Sequence, residues 1–95
     1  MHARVVTWEG GDADAIRANT QEIDDRSGGG PPEGVPAVGI MVLTAPEDGK
    51  AMIITLFDSE ADMQQGDAVL NEMSPGTPMG DRTVGLYEVA IERRL

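Results

Sequence analysis

Three carboxylates fall close together in the stretch TLFDSEADM, residues 55–63, namely Asp58, Glu60 and Asp62. Clustered carboxylates can hold a divalent cation or act as a general acid and base, so this stretch is the first candidate for chemistry. A calcium-binding loop needs the spacing D-x-[DN]-x-[DN]-G, and the sequence does not contain it. The metal hypothesis therefore has no spacing to support it.

The same acids have a structural explanation, because they stand between an apolar run and a helical pattern. Ser59 followed three residues later by Asp62 is a variant of the capping box that starts helices. Glu60 and Asp62 fall in the first turn, where the helix dipole favours negative charge by about 0.3–1 kcal/mol each. We interpret these acids as the start of a helix, and Asp12 and Asp14 as the start of the preceding one.

Other residue types with reactive side chains are scarce. The chain has no cysteine, which excludes disulfides, thiolate nucleophiles and Cys-ligated metals. Its serines have no neighbouring histidine as a base, and the single histidine, His2, is expected to be exposed near the N-terminus. The glycine runs match neither phosphate-binding loop pattern. We expect no metal and no cofactor.

The charge balance excludes whole classes of partner. The formal net charge is −10, which repels a phosphate backbone and anionic membrane surfaces. It favours neutral or cationic ligands, although a local pocket need not share the overall sign. No apolar run approaches the roughly 18 residues of a membrane span, and the N-terminus lacks a signal-peptide core. The sequence predicts a soluble, cytoplasmic protein that binds neither nucleic acid nor membrane.

The apolar periodicity divides the chain into six elements. Residues 3–9, 37–44 and 51–57 are rich in β-branched or apolar residues and predict strands, and residues 82–94 predict a long last strand. Between them run two stripes at helical spacing, Ala13, Ile16, Thr20 and Ile23 in the first, and Met63, Gly66 or Asp67, Leu70 and Met73 in the second.

Glycine and proline mark the connections between these elements. Gly28 to Gly30 end the first helix, and Ser74-Pro75-Gly76 end the second. Residues 28–36 form a Gly/Pro loop, and Asp48-Gly49 is a good hairpin connection. Whether the loop over residues 28–36 closes over a bound molecule is left open.

The order β-α-β-β-α-β predicts one α+β domain over residues 1–95. It is a ferredoxin-like sandwich with a four-stranded antiparallel sheet and two helices on one face. Both strands of the central hairpin carry apolar residues at odd and at even positions, so both faces of the sheet are apolar and must be covered. The two helices cover only one of these faces. At about 25 cal/mol per Å2, an uncovered apolar face forfeits several kcal/mol. We therefore expect a homodimer through the open sheet face.

This pattern resembles the dimeric α+β barrel proteins, and within them the antibiotic-biosynthesis-monooxygenase-like group. The matching segments are ARVVTWEGGDADAI, ITLFDSEADM, GDAVLNEMSP and VGLYEVAI. Members that are enzymes oxidise phenolic polycyclic substrates with dioxygen, without flavin or metal. Others degrade haem, which requires a helical histidine that this chain lacks, or have no assigned activity.

The resemblance implies a pocket between the helices and the sheet. Trp8 and Tyr87 would shape this pocket and Asn19 would orient the substrate. Each also has a structural explanation: Trp8 as core, Tyr87 as core or interface, and Asn19 as a locally bonded boundary residue. Apolar residues of the same elements are expected to complete the lining, namely Ile23, Phe57 and Leu70.

Two functions are favoured at this stage, ahead of an isomerase or cyclase on the same scaffold and of a purely structural role. The first is a cofactor-independent oxygenase acting on an aromatic or polyketide-type molecule, for which no residue is an obvious base. The alternative is a non-catalytic, ligand-binding or accessory homodimer.

Overall fold

The computed structural model describes residues 1–72 and 81–95. Its elements follow the order that the sequence predicts. They are β1 (His2–Glu9), α1 (Ala13–Ser27), β2 (Gly39–Ala45), a 3-10 turn (Pro46–Asp48), β3 (Lys50–Phe57), α2 (Glu60–Glu72) and β4 (Asp81–Glu88). The expected ends of the second helix, and Met73 of its stripe, lie outside the described residues.

The four strands form one antiparallel sheet in the order β2-β3-β1-β4. Strands joined through a helix are not neighbours, because β3 separates β1 from β2 and β1 separates β3 from β4. This is the split βαβ arrangement of ferredoxin-like folds, so the predicted α+β fold is confirmed. The central pair of strands is β1 and β3, and β2 lies at an edge.

Strand register decides which residues face the helices. Val6 lies opposite Ile53 on β3 and Val84 on β4, and residues paired in this way point to the same side of the sheet. The other parity forms what we call the open face, since neither helix covers it. Its larger side chains are Val5, Met41, Leu43, Met52, Ile54, Leu56 and Tyr87.

Among the described residues, the core on the helix-covered side forms two clusters. Ile16 of α1 packs with Val6, Trp8 and Ala51. Met63 of α2 packs with Phe57 and with a loop residue, as part of the cluster Val35, Phe57 and Met63. Each helix therefore has its own apolar contact with the sheet, and the space between the two clusters is left for the site described below.

Side-chain caps begin both helices, as the sequence predicts. Asp12 Oδ2 accepts a hydrogen bond from the Ala15 amide at 3.2 Å, and Ser59 Oγ accepts one from the Asp62 amide at 3.1 Å. Glu60 and Asp62 lie in the first turn of α2. Their role as helix-starting residues is confirmed.

Two glycines permit close backbone approaches. Gly49 ends the hairpin turn with a φ of 69° and accepts a hydrogen bond from the Gly11 amide at 3.0 Å, which links the turn to the β1–α1 connection. Gly66 of α2 lies against the Phe57 ring, where a Cβ atom would fall 2.5 Å from Cε1. The absence of a side chain at residue 66 therefore sets how closely α2 packs on β3.

Two sequence expectations at the chain ends are wrong. The last strand ends at Glu88 rather than Arg94, because β1 begins at His2 and the last backbone link runs from the Val89 amide to the Met1 carbonyl at 2.9 Å. His2 is half-buried within β1 rather than exposed, since the register sets it between Phe57 and Glu88. Within the described residues, no helix is long and apolar enough to cross a membrane.

Candidate functional site

A cavity of about 690 Å3 lies between α1, the sheet and the loop before β2. Its floor comes from alternate residues of β1 and β3, including Val6, Trp8 and Ile53. One side is α1, and Leu70 of α2 adds an apolar contact on the other. This volume falls within the range of roughly 300–1,000 Å3 that is usual for small-molecule sites.

The Gly/Pro loop forms a wall of this cavity. Gly30, Pro31 and Pro32 line it, and Val35 is buried beneath the loop against Phe57 and Met63. The loop is also tied to α2, because Gln65 Nε2 donates to the Gly34 carbonyl at 3.1 Å. In this structure the loop is packed in place over the apolar cluster of α2.

Trp8 and Asn19 lie on the same cavity, on β1 and α1 respectively. Trp8 is 6% exposed and Asn19 is 4% exposed, so both are nearly enclosed by protein. The Asn19 Nδ2 atom donates to the Ala15 carbonyl of the preceding helical turn at 3.0 Å. Asn19 is thus both a locally bonded residue and a part of the cavity wall.

A buried arginine stands at the α2 side of the cavity. Arg4 is 4% exposed, and its Nε donates to Asp67 Oδ1 at 2.8 Å. Its Nη2 donates to Asn71 Oδ1 at 3.0 Å. Asp67 and Asn71 are four residues apart on α2, so both reach the same side of the helix and meet the guanidinium together.

A second arginine meets the first at Asn71. Arg82 at the start of β4 donates through Nη2 to the same Asn71 Oδ1 atom at 2.9 Å, and both arginines line the cavity. Arg82 is exposed, whereas Arg4 is buried. One amide oxygen therefore accepts hydrogen bonds from two arginines at one end of the cavity.

The local charge of the cavity is opposite to that of the chain. Arg4, Arg26 and Arg82 line it, whereas among its described lining residues the single acid is Glu22. Glu22 accepts a hydrogen bond from Arg26 one turn later on α1. The described lining residues include no histidine. In the described ranges, no group of three His, Asp or Glu side chains is placed to hold a metal ion.

The structure brings together four of the six residues that the sequence singles out. Trp8, Asn19, Ile23 and Leu70 all line the cavity. Phe57 is fully buried in the cluster beneath α2 and does not reach the cavity lining.

Tyr87 lies on the other side of the sheet. It pairs with Ala3 on the open face, is 58% exposed and folds its ring over Gly85. The expected grouping of Trp8, Asn19 and Tyr87 around one pocket is therefore not what the structure shows. The reason is register, because it turns Leu86, rather than Tyr87, toward the helices.

Sequence reasoning missed the polar end of the cavity. Arg4 alternates with Val6 and Trp8 along β1, so the period-2 pattern does place it on the buried side. An arginine on the apolar parity of a strand is a signal for a buried ion pair or a ligand contact. Thr55, which is buried and also lines the cavity, carries no comparable signal.

No family model matches the chain, and no curated protein sequence matches it.

Proposed function

We propose that the cavity binds a small aromatic molecule, and that the chain is an antibiotic-biosynthesis-monooxygenase-like protein that oxygenates this molecule without a cofactor. The observation that carries the proposal is the cavity of about 690 Å3 with Trp8 and Asn19 in its wall. Concave, mostly apolar sites with a few polar groups are typical of small-molecule binding.

Each of these two residues has a role that suits its position. The indole of Trp8 offers a large apolar surface against which an aromatic ring can pack. Asn19 presents an amide at a nearly enclosed position, where a hydrogen bond to the substrate would fix its orientation. Ile23 and Leu70 supply apolar contact from the two helices.

The chemistry needs no external reductant. A doubly activated methylene of a polycyclic phenol loses its two hydrogens, one oxygen atom of dioxygen becomes the new carbonyl oxygen, and the other leaves as water. The protein's part is to bind and orient the substrate and to stabilise its deprotonated form. Glu22 is the one acid in the described lining, and is the candidate base.

A second function is binding without turnover. The observation that favours it is that Glu22, the one acid in the described lining, already accepts a hydrogen bond from Arg26, and that the described lining includes no histidine. In this alternative the same cavity holds the same class of molecule for storage, transfer or delivery to a partner.

Oxygen uptake and binding can be measured on one sample to separate these functions. Purified protein is titrated with an anthrone while the fluorescence of Trp8, the single tryptophan, is followed, and oxygen consumption is recorded with an electrode. Asn19→Leu is compared with Gln21→Leu, an exposed position on α1 that does not line the cavity.

Three outcomes decide the matter. Saturable binding with oxygen uptake above the protein-free rate, reduced at least tenfold by Asn19→Leu and not by Gln21→Leu, supports the oxygenase. Binding without uptake supports the second function. No saturable change for the anthrone, or for other polycyclic phenols of similar size, would overturn both.

The proposed functional unit is a homodimer built through the open face. Its support is the apolar character of that face, on which Met41, Leu43 and Tyr87 remain exposed in the single chain. A second copy presents the same surface and can cover it symmetrically.

A further inference from the structure

We propose that the ligand of the cavity is a monoanion, an aromatic molecule carrying one carboxylate, which is held by Arg82 and Arg4. This inference rests on the proposed function, because it assigns a chemical class to the molecule bound in the same cavity. It differs from what the overall charge of −10 indicates, namely a neutral or cationic ligand.

The shared amide of Asn71 brings the two guanidinium groups together. Arg4 Nη2 and Arg82 Nη2 lie 3.0 and 2.9 Å from the same Oδ1 atom, so the nitrogens are no further apart than the sum of these distances. The two positive charges repel each other at that spacing. An anionic ligand group bound beside them would offset this repulsion. The arrangement favours an anionic group near Asn71.

Each of the two guanidinium groups carries more N–H donors than its contacts with Asp67 and Asn71 use. A guanidinium carries five N–H donors, and Arg4 uses one on Asp67 and one on Asn71. Arg4 is 4% exposed and lines the cavity, so its guanidinium lies in the wall of the site rather than in bulk solvent. A ligand oxygen in the cavity can therefore accept a charge-assisted hydrogen bond from an arginine that Asp67 and Asn71 hold in place.

The charges around the cavity leave one cation without an opposite charge. Arg4 is paired with Asp67, and Arg26 is paired with Glu22. No carboxylate in the described ranges forms a salt bridge with Arg82, whose side-chain hydrogen bond within those ranges is to Asn71. One excess positive charge matches one negative charge, and therefore a carboxylate better than a phosphate, which carries about −1.5 to −2 at neutral pH.

The rest of the cavity defines the body of the ligand. Val6, Trp8, Ile53 and Leu70 line it with aliphatic and aromatic surface. A planar apolar ring system can pack there while its carboxylate points to the arginine end. Arginine suits this role because its planar fork matches both oxygens of a carboxylate.

The test compares two probes of equal shape, naphthalene-2-carboxylate and naphthalene-2-carboxamide, by isothermal titration calorimetry at low salt. The wild-type protein is measured beside Arg82→Gln, Arg82→Lys and the control Arg17→Gln. Arg17 is an arginine on α1 that does not line the cavity, so its substitution removes the same charge elsewhere. Arg82 is chosen over Arg4 because it is exposed and its loss leaves the buried ion pair intact.

We expect the carboxylate to bind at least about tenfold more tightly than the amide, because hydrogen bonds between charged groups are stronger than those of a neutral amide. Arg82→Gln should abolish this preference, Arg82→Lys should keep part of it, and Arg17→Gln should leave it unchanged. Equal binding of both probes, unaffected by Arg82→Gln, would overturn the anionic ligand and leave the aromatic pocket standing. Binding of neither probe would overturn the pocket itself.

Discussion

The guanidinium of Arg4 and the carboxylate of Asp67 meet at 2.8 Å between the central strand and α2, with the arginine almost fully enclosed. The two residues are 63 positions apart in the chain, so the pair ties β1 to the second helix. Because Arg4 also lines the cavity, the same contact holds α2 in place and fixes the polar end of the site. Fold and candidate site therefore share this ion pair.

We predict that Asp67→Ala lowers the free energy of unfolding by about 2–4 kcal/mol, because it leaves a buried guanidinium without its counter-charge. Glu47→Ala removes the acid of the exposed Arg17–Glu47 pair and should cost less than about 1 kcal/mol. Urea unfolding of both variants measures the difference. The double variant Arg4→Met with Asp67→Leu should recover much of the loss, since it removes both charges. A cost below 1 kcal/mol for Asp67→Ala would show that the pair does not hold α2.

Gly66→Ala tests the close packing of α2 on β3. The new Cβ would lie 2.5 Å from Phe57 Cε1, and Phe57 is fully buried. We expect a loss of about 1–3 kcal/mol from overpacking, although alanine is the better helix former.

Gly28→Ala is the matched control, because its nearest non-neighbouring atom is 3.7 Å away and its φ is −61°. It should change the unfolding free energy by less than about 0.5 kcal/mol. Phe57→Leu in the Gly66→Ala background should relieve part of the clash. If Gly66→Ala is as stable as wild type, the helix does not pack on Phe57 as described.

Local signals in the sequence are enough to predict most of the fold. Ser59 and Asp12 mark the helix starts, and Asp48-Gly49 marks the hairpin, because each acts on backbone atoms within a few residues. The order of elements then selects the antiparallel sheet. Such information lies in adjacent residues and needs no knowledge of distant contacts.

The candidate site depends on register and on distant pairings, and these are not local. A shift of one residue in β4 would turn Tyr87 toward the helices and Leu86 away from them, and nothing in VGLYEVAI decides between the two. Likewise, the partners of Arg4 are Asp67 and Asn71 on a helix far along the chain. The buried position of Arg4 could therefore be predicted from the alternation along β1, whereas its contacts with Asp67 and Asn71, which form the arginine end of the cavity, could not.

Val35→Ala should loosen the loop wall of the cavity. Val35 is the residue of this loop, residues 28–36, that is buried against Phe57 and Met63, and removing its two methyl groups should cost about 1–3 kcal/mol. We expect faster amide hydrogen exchange across residues 28–36 and weaker binding of aromatic probes. Val38→Ala, at a more exposed position after the same loop, should leave exchange in residues 28–36 unchanged. Unaltered exchange in Val35→Ala would mean that the loop is held by other contacts.

The last prediction concerns the open face. Leu43→Lys introduces a charge beside Met41 on an apolar surface. If a second copy covers that surface, each subunit must bury one lysine charge in the interface, which should prevent dimerisation. Sedimentation velocity should give a mass near twice 10.1 kDa for the wild type and 10.1 kDa for the variant. Ala61→Lys adds the same charge at an exposed position on α2 and should remain dimeric. A monomeric wild type, or a dimer that survives Leu43→Lys, would contradict dimerisation through this face.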